Sequence, residues 1–575
     1  PGVDSLRRAV NDPRIPKQVG SVAEQLGKKQ VISESYAMCG WDLNFDEMRW
    51  IAGWQYVNGV NLICQHLQAY SLKGMRKRDY PPSLYYQQTW YDEYYRFNDY
   101  LARLGQMLSQ GKKCIDVLML HPMHSGWVSY DGTNNDEIKQ LDADFVNATQ
   151  LFAGAHVDYH LGDEIILRRH GKVLSDGRIQ VGAYAYGAVV MPSALSVDAN
   201  TVSILKRFSA SGRPILSVGQ WPLLCEGEAS AVLTQLQAQV VSVHTAEQVR
   251  AALCKTITHA VDIRENEEQA ASIHCCQVEL STGGIALYLI NMAAETAHST
   301  KITLPGNVSV YSLALDTMEK TMLPVQQNAD ETCFTVDFLP KQSKILLYEN
   351  SPEVPVSLEK SSVLHLECEN WHIAAMDDNT FTMDTCAYKI DDGMWQPQKA
   401  VVHLMQELMD LRRACTICQR FCFTLQCTPE KLHHLAFVME QPQHFSVTVN
   451  GHAISFEQGD WYKDISFCKT EILPYVVQGE NVVEITAQFR QSQHVYDVLY
   501  GENVYETELN KLTYDMELES VYLLGDFGVF SQTEYTQSGN RSLTTNGAFV
   551  LDTMPAQFTN GCFTTQGLAF FAGKL

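Results

Sequence analysis

Positive charge is scarce in this chain. Its 43 Lys and Arg stand against 66 Asp and Glu, a net charge of -23. The longest basic cluster, Arg76-Lys77-Arg78, runs straight into Asp79 and Pro81. A phosphate-binding surface needs clustered cations, so nucleic acid is excluded as a partner. Long apolar runs are also missing. No segment reaches the roughly 20 residues of a membrane span, and no signal peptide is visible. Cysteine is plentiful, with 16 residues, but lacks the spacing of a disulfide framework. Several, such as Cys64 and Cys114, sit inside apolar runs, as buried thiols of a reducing compartment do, so a cytoplasmic location is expected. Cys415, Cys418, Cys422 and Cys427 form the one cluster, but their spacing fits no familiar zinc tetrad. Phe421, Phe423 and Leu425 alternate with its later members, which suits a strand. Two catalytic signatures are absent as well. The turn after the apolar run 115–120 reads His121-Pro122-Met123-His124, with no Gly-rich phosphate loop, so nucleotide binding is rejected. No Gly-x-Ser-x-Gly elbow surrounds Ser33 or Ser35, and Cys39 beside Met38 reads as a packed loop thiol.

What is present begins with Val31-Ile32-Ser33-Glu34-Ser35-Tyr36, followed by Gly40-Trp41-Asp42. An apolar run too short for a helix ends in a carboxylate, and an aromatic turn follows. A parallel barrel strand delivers a catalytic acid or base to its rim in this way. Glu34 lies so early that most of such a barrel is expected outside this sequence, and Pro1-Gly2-Val3 reads as an internal start. A leader upstream of that start therefore stays open. Upstream of Glu34, residues 16–26 carry a helical pattern stopped by Gly27. Downstream, Asn44 is placed to cap a helix, with Glu47 three positions on as its box partner. A second apolar strand, 60–64, leads to Gln65 and His66. This is a βαβ unit with parallel, buried strands. A long helix over 91–110 ends at Gly111.

Strands and helices alternate again over 112–226, as in an open doubly wound sheet. Beyond Thr256 the pattern changes to short alternating strands, as in β-sandwiches. At 575 residues and 45% hydrophobic content, about three or four cores are expected. The fold class is therefore multidomain α/β plus β. Residues 1–111 are the C-terminal portion of a (β/α)8 barrel, 112–255 a doubly wound domain, 256–350 a small β-sandwich and 351–575 a second sandwich. Ser351-Pro352-Glu353-Val354-Pro355 reads as a linker.

Glu34 is the candidate acid or base. Tyr36 and Trp41 are large aromatics in a loop, where burial does not demand them, and sugar sites need flat apolar platforms beside carboxylates. Gln65 and His66 end the next strand on the same rim and are candidates to hydrogen-bond sugar hydroxyls. Asp4 is either another rim carboxylate or the cap of a following turn. Arg76 or Arg78 is a candidate brace for the carboxylate, whereas Lys77 is expected on a solvated face. His121 and His124 lack a companion carboxylate at metal-ligand spacing and are expected to pack. Trp371, Trp395 and Trp461 could serve as sugar platforms, but sandwich cores use Trp as well, and the core is the expected place.

Three stretches together carry a resemblance: Ser33-Glu34-Ser35-Tyr36 with Gly40-Trp41-Asp42, Trp54-Gln55 with Gly59-Val60-Asn61, and Arg78-Asp79-Tyr80-Pro81-Pro82-Ser83. They resemble the end of the catalytic barrel in bacterial glycoside hydrolases of the α-L-rhamnosidase type, family 106. The second α/β segment is similar to the amidotransferase-like domain of family 42 β-galactosidases, and the last sandwich is expected to be galactose-binding-like. The resemblance implies hydrolysis of a terminal deoxysugar from a glycoside or plant polysaccharide with inversion, Glu34 being the general base on the seventh strand and Gln65 and His66 closing the eighth. It implies calcium assistance, for which the sequence offers no ligand set. It also implies an upstream segment or separate chain that completes the barrel and carries the second carboxyl group. A retaining β-glycosidase and a non-catalytic carbohydrate-binding subunit are the alternatives. The oligomeric state, a homo-oligomer included, is not set by the sequence.

Overall fold

The computed structural model describes residues 2–5, 8, 10, 12–328, 330–349, 370–539 and 542–575. The linker expected at 351–355 lies outside them. Two compact units emerge: Pro1–Leu67 with Tyr80–Pro82 and Glu93–Ser361, and Gln68–Asp79 with Ser83–Asp92 and Ser362–Leu575.

The first unit opens with strand β1 (Gly2–Ser5), helix α1 (Arg14–Gln25), strand β2 (Ile32–Ser35), helix α2 (Phe45–Val57) and strand β3 (Leu62–Gln65). The strands form a parallel sheet in the order β1-β2-β3. Side chains alternate across a strand, and β2 divides accordingly. Ser33 and Ser35 are fully buried. Their polarity is satisfied locally: the two hydroxyls are 3.1 Å apart and Gln55 Nε2 of α2 donates to Ser35 Oγ at 3.0 Å. The opposite face carries Glu34 and leaves Ile32 and Leu62 38% and 40% exposed. Asn44 caps α2 as expected, its side chain accepting from Glu47 N. Met48, Ile51 and Ala52 bury the inner stripe of that helix. Gly20 of α1 and Gly59 after α2 let the backbones meet, since a Cβ on Gly20 would stand 2.9 Å from Gly59 Cα. Helix α3 (Tyr94–Gln110) buries Phe97, Leu101, Leu104 and Leu108.

Five parallel strands follow in the order Val241–Ser242, Ile215–Val218, Ala188–Pro192, Val117–Leu120, His160–Gly162. Their alternate residues feed two cores. Leu118, Leu120, Val189 and Met191 pack with Ile204, Leu205 and Phe208 on one face. Val117, Met119 and Val190 pack with Phe145 and Phe152 on the other. That is a doubly wound arrangement with both faces covered. A five-stranded and a six-stranded sheet then enclose a third core around Leu287, Leu289, Ile302 and Phe334. Lys112–Lys113 joins the edge of the six-stranded sheet, beside Ile273–Glu279.

The second unit is a larger pair of sheets around Phe421, Phe437, Phe489 and Phe527. The cysteine cluster lies in and just beyond its long strand Cys415–Leu425. Cys415 and Cys418 are buried and Cys422 is exposed, and all are free thiols. Two expectations are corrected here. Trp371 and Trp461 are not core residues but are half exposed. Trp395 is partly exposed, its ring covered by Arg420 at 4.0 Å and Lys389 at 5.4 Å. Lys77 does not lie on a solvated face. Its side chain is 16% exposed and its ammonium is held by Glu440 and Glu519, because sandwich carboxylates reach toward the segment that carries it.

Candidate functional site

Glu34 stands at the C-terminal end of β2, on the open face of the three-stranded sheet. Its side chain is 42% exposed. Asp4 of β1 is its register partner. Register partners in adjacent strands share a face and sit about 4.8 Å apart, so two carboxylates are neighbours at this rim. His66 follows β3, fixed by its amide donating to Ser35 O at 2.9 Å. Its Nε2 is 4.0 Å from Glu34 Oε1, a gap that a water or a ligand hydroxyl can bridge. Its Nδ1 is buried without a hydrogen-bond partner among the described residues, a cost of about 1–3 kcal/mol. The ring stacks on Tyr80, with centroids 5.8 Å apart and planes 27° from parallel. Tyr80 is half exposed and adds an aromatic wall.

The loop after β2 is strained. Tyr36, Met38 and Tyr80 have φ of 80°, 60° and 50°, which costs non-glycine residues about 1–3 kcal/mol each. Met38 N donates to Tyr80 O at 3.5 Å and Gly40 N to Pro81 O at 3.2 Å, so the two loops hold each other. Arg8 locks the far side. Its guanidinium donates to Cys39 O at 2.7 Å and to Glu47 Oε2 at 2.8 Å, and pairs with Asp42. Lys341 Nζ is 3.6 Å from the other Glu47 oxygen. Trp41, half exposed, rides on the loop so braced.

Glu34, Asp4 and His66 are thus brought together, with Trp41 on the adjoining loop, and two predicted pocket residues are not. Tyr36 is fully buried, its hydroxyl donating to Met48 O at 3.1 Å, so it anchors the loop and offers no platform. Gln65 pairs in register with the buried Ser35, not with Glu34. It lies on the helix-facing side of the sheet, where its amide donates to Asn98 Oδ1 of α3 at 2.8 Å. Arg76 and Arg78 are engaged by Asp79 and Glu519 within the second unit. Tyr80 and Arg8 were missed as site residues. Tyr80 had a signal in its Pro-Pro context. Arg8 had none, since its partners lie 31 to 39 residues away. Calcium takes six to eight oxygen ligands. No group of three or more His, Cys, Asp or Glu able to hold a metal occurs among the described residues, so the residues present do not fit the implied ion.

His121 and His124, after the strand Val117–Leu120, pack as expected. The His121 ring stacks on Phe145 with centroids 5.1 Å apart, and burial pushes its imidazole below the ordinary value. His124 Nδ1 bonds Ser196 Oγ at 3.3 Å. No helix among the described residues is long and apolar enough to cross a membrane.

A carboxylate pair beside an imidazole, walled by aromatics at the mouth of parallel strands, is equipped for acid and base chemistry on a polar ligand. No protein-family model matches the chain, and no curated protein matches it. Among solved structures it is similar to a rhamnosidase from Novosphingobium sp. PP1Y, with a TM-score of 0.49 and 15% identity over 91% of this chain and 51% of that one. It is also similar to α-L-fucosidase isoenzyme 2 from Paenibacillus thiaminolyticus, with a TM-score of 0.37 and 10% identity over 60% of this chain and 65% of that one. The apo exo-carrageenase GH42 from Bacteroides ovatus gives a TM-score of 0.37 and 10% identity over 56% and 42%. All three are glycoside hydrolases. The chain spans about half the length of the rhamnosidase.

Proposed function

We propose that the chain is the C-terminal part of a glycoside hydrolase that removes a terminal α-L-rhamnose-like sugar by acid/base hydrolysis. The observation that carries this reading is Glu34 on an open sheet face, in register with Asp4 and 4.0 Å from His66. Glu34 acts as the base that takes a proton from water, and Trp41, Tyr80 and His66 line the sugar pocket. Hydrolysis with inversion needs an acid about 6.5–9.5 Å from the base, with room for that water. On this reading the acid lies on barrel strands supplied by upstream sequence or by a separate chain, and the exposed Ile32 and Leu62 are packed by those strands.

The Asp4 register favours one competing reading, a retaining enzyme. Carboxyl groups on adjacent strands suit the separation of about 5–5.5 Å that such sites use. Glu34 is then the nucleophile and Asp4 the acid.

The test uses the protein as isolated from its source, with its intact mass recorded. Activity on an aryl α-L-rhamnoside is followed, and the anomer released first is read by proton NMR. Glu34→Gln is expected to lower kcat by about 10²–10⁴-fold without changing the melting temperature. An inverted first product supports the leading reading and a retained one the Asp4–Glu34 pair. Unchanged turnover in Glu34→Gln refutes both, and glycan retention without any turnover indicates a binding subunit.

A further inference from the structure

We propose that a cleft of about 410 Å³ within the first unit is a second binding site, taking a neutral sugar by its adjacent hydroxyls. The cleft forms where a sheet opens. Strands Ser309–Ala314 and Ser343–Glu349 pair antiparallel, but their pairing ends at Ser312 and Leu346. Past that point Ser309–Ala314 runs on beside Glu319–Met322. Residues 343–345 keep a strand partner among the described residues only on their other edge, in Ile285–Asn291. Helices α2 and α3 supply Asp46, Arg49 and Tyr100 to the wall, and the turn after Ser309–Ala314 supplies Asp316. The volume lies within the roughly 300–1,000 Å³ of small-molecule sites.

The polar groups of the wall are fixed. Arg49 donates to both carboxylate oxygens of Asp316, at 2.6 and 3.2 Å. Its guanidinium lies over the Tyr100 ring, 4.3 Å from the centroid, and the Tyr100 and Ser343 hydroxyls are 2.9 Å apart. Arg103 donates to Leu315 O and Asp316 O, which sets the turn. The Arg49–Asp316 pair uses two of the guanidinium's five N–H donors. It also leaves carboxylate lone pairs open, so donors and acceptors remain side by side. Each hydroxyl of a sugar both donates and accepts, and two adjacent ones match that edge. Charge balance favours a neutral ligand. The wall sets Arg49, Lys341 and Lys344 against Asp46 and Asp316, and Lys341 is also drawn to Glu47 at 3.6 Å. An ion of either sign therefore meets both signs. Leu339, 64% exposed, gives the wall an apolar edge for the sugar's C–H groups. One ring held by a few hydrogen bonds corresponds to millimolar affinity.

The site is tested on the whole chain by lysine acetylation read by mass spectrometry, with methyl α-L-rhamnoside and methyl β-D-galactoside as probes. Either sugar is expected to slow acetylation of Lys344 several-fold, saturating in the millimolar range, while the exposed Lys301 of the same unit reacts at its usual rate. In Asp316→Ala the protection should vanish while the melting temperature holds, since a pair as exposed as Arg49–Asp316 adds little to stability. Glu34→Gln should leave the protection intact even where hydrolysis is lost, so failure of this site and failure of the catalytic reading are separable. The proposal is overturned if neither sugar protects Lys344 at about 50 mM, or if Asp316→Ala is protected as well as the parent protein. Stronger protection by glucuronate than by either neutral sugar would overturn it too.

Discussion

Replacing Asp464 with Asn should loosen residues 68–79 and 83–92 from the sandwich of their own unit. Asp464 is fully buried, and six donors converge on its carboxylate. Oδ1 accepts from Ser71 Oγ at 2.8 Å, Ser466 N at 2.9 Å and Ser466 Oγ at 2.7 Å. Oδ2 accepts from Leu72 N at 2.8 Å, Gln87 Nε2 at 3.1 Å and Tyr86 Oη at 3.3 Å. Asparagine keeps one acceptor oxygen and turns an N–H₂ donor toward the remaining donors. Hydrogen bonds to a charged group contribute about 1.5–3 kcal/mol each, and they are not additive. Side-chain rotation relieves part of the conflict, so a loss of about 3–5 kcal/mol is expected. With a urea m-value of about 2 kcal/mol/M, the transition of the second unit should fall by roughly 2 M. Trypsin gives the local readout, since Arg76, Lys77 and Arg78 lie within the loosened segment. Burial alone would raise the Asp464 carboxyl, but the hydrogen bonds from Ser466, Leu72 and Gln87 outweigh it and hold the group below its ordinary value. A depressed carboxyl contributes stability that is present above the unfolded value, near 3.9, and is lost as pH falls below it. The variant should therefore show a shallower loss of stability below about pH 4. An unchanged urea midpoint together with unchanged tryptic cleavage at residues 76–78 would refute the reasoning.

Gly20→Ala should destabilise the first unit by about 1–3 kcal/mol, because the new Cβ meets Gly59 Cα at 2.9 Å and Asn58 O at 3.2 Å, backbone atoms that cannot turn aside. A thermal melt no lower than that of the parent protein would contradict it. His156 is buried with its ring nitrogens 3.1 Å from Gln269 Oε1 and from Ala270 O, and burial pushes its imidazole down to about 4. The unfolded chain binds its proton near pH 6.5 and the folded chain only near 4, so stability is full above 6.5 and falls through that window, by on the order of 3 kcal/mol. His156→Gln should flatten that slope in urea titrations between pH 4 and 7.

The parallel strands were legible because a short apolar run ending in polar residues has few other readings. The run containing Glu34 and the Asn44 cap fell where expected. The face on which each rim residue sits was harder to see. In Ile32-Ser33-Glu34-Ser35 the serines are inside and the isoleucine is half exposed, the reverse of the usual alternation. A buried serine pair is inexpensive only because Gln55 donates into it, and that partner lies 20 residues away. The same period-two rule separates Gln65 from Glu34, since Gln65 pairs with Ser35 and Cys64 pairs with Glu34. Tyr36 misled because an aromatic after a strand reads alike whether it faces a ligand or plugs the loop beneath one. Its φ of 80° and its bond to Met48 O decide for the plug. Lys77 and Arg78 were misjudged for a related reason, as their carboxylate partners lie more than 360 residues further along the chain.

The open sheet face bears on the catalytic reading more directly than any single distance. Burying a side chain such as Ile or Leu contributes about 1.5–3 kcal/mol, and Ile32 and Leu62 forgo much of that where they stand. One such residue would be ordinary on a protein surface. Two on adjacent strands, in register with each other and one step below Glu34 and Cys64, match the inward layers by which a (β/α)8 barrel is filled, as the proposed upstream strands would require. The outer edge of β1 pairs with no further strand among the described residues, and an unpaired parallel edge is one that proteins cover. Apolar residues below and carboxylates above, on one face of one sheet, are the order that the proposed barrel interior, with its site at the mouth, calls for. A solvent-facing sheet would gain nothing from that order.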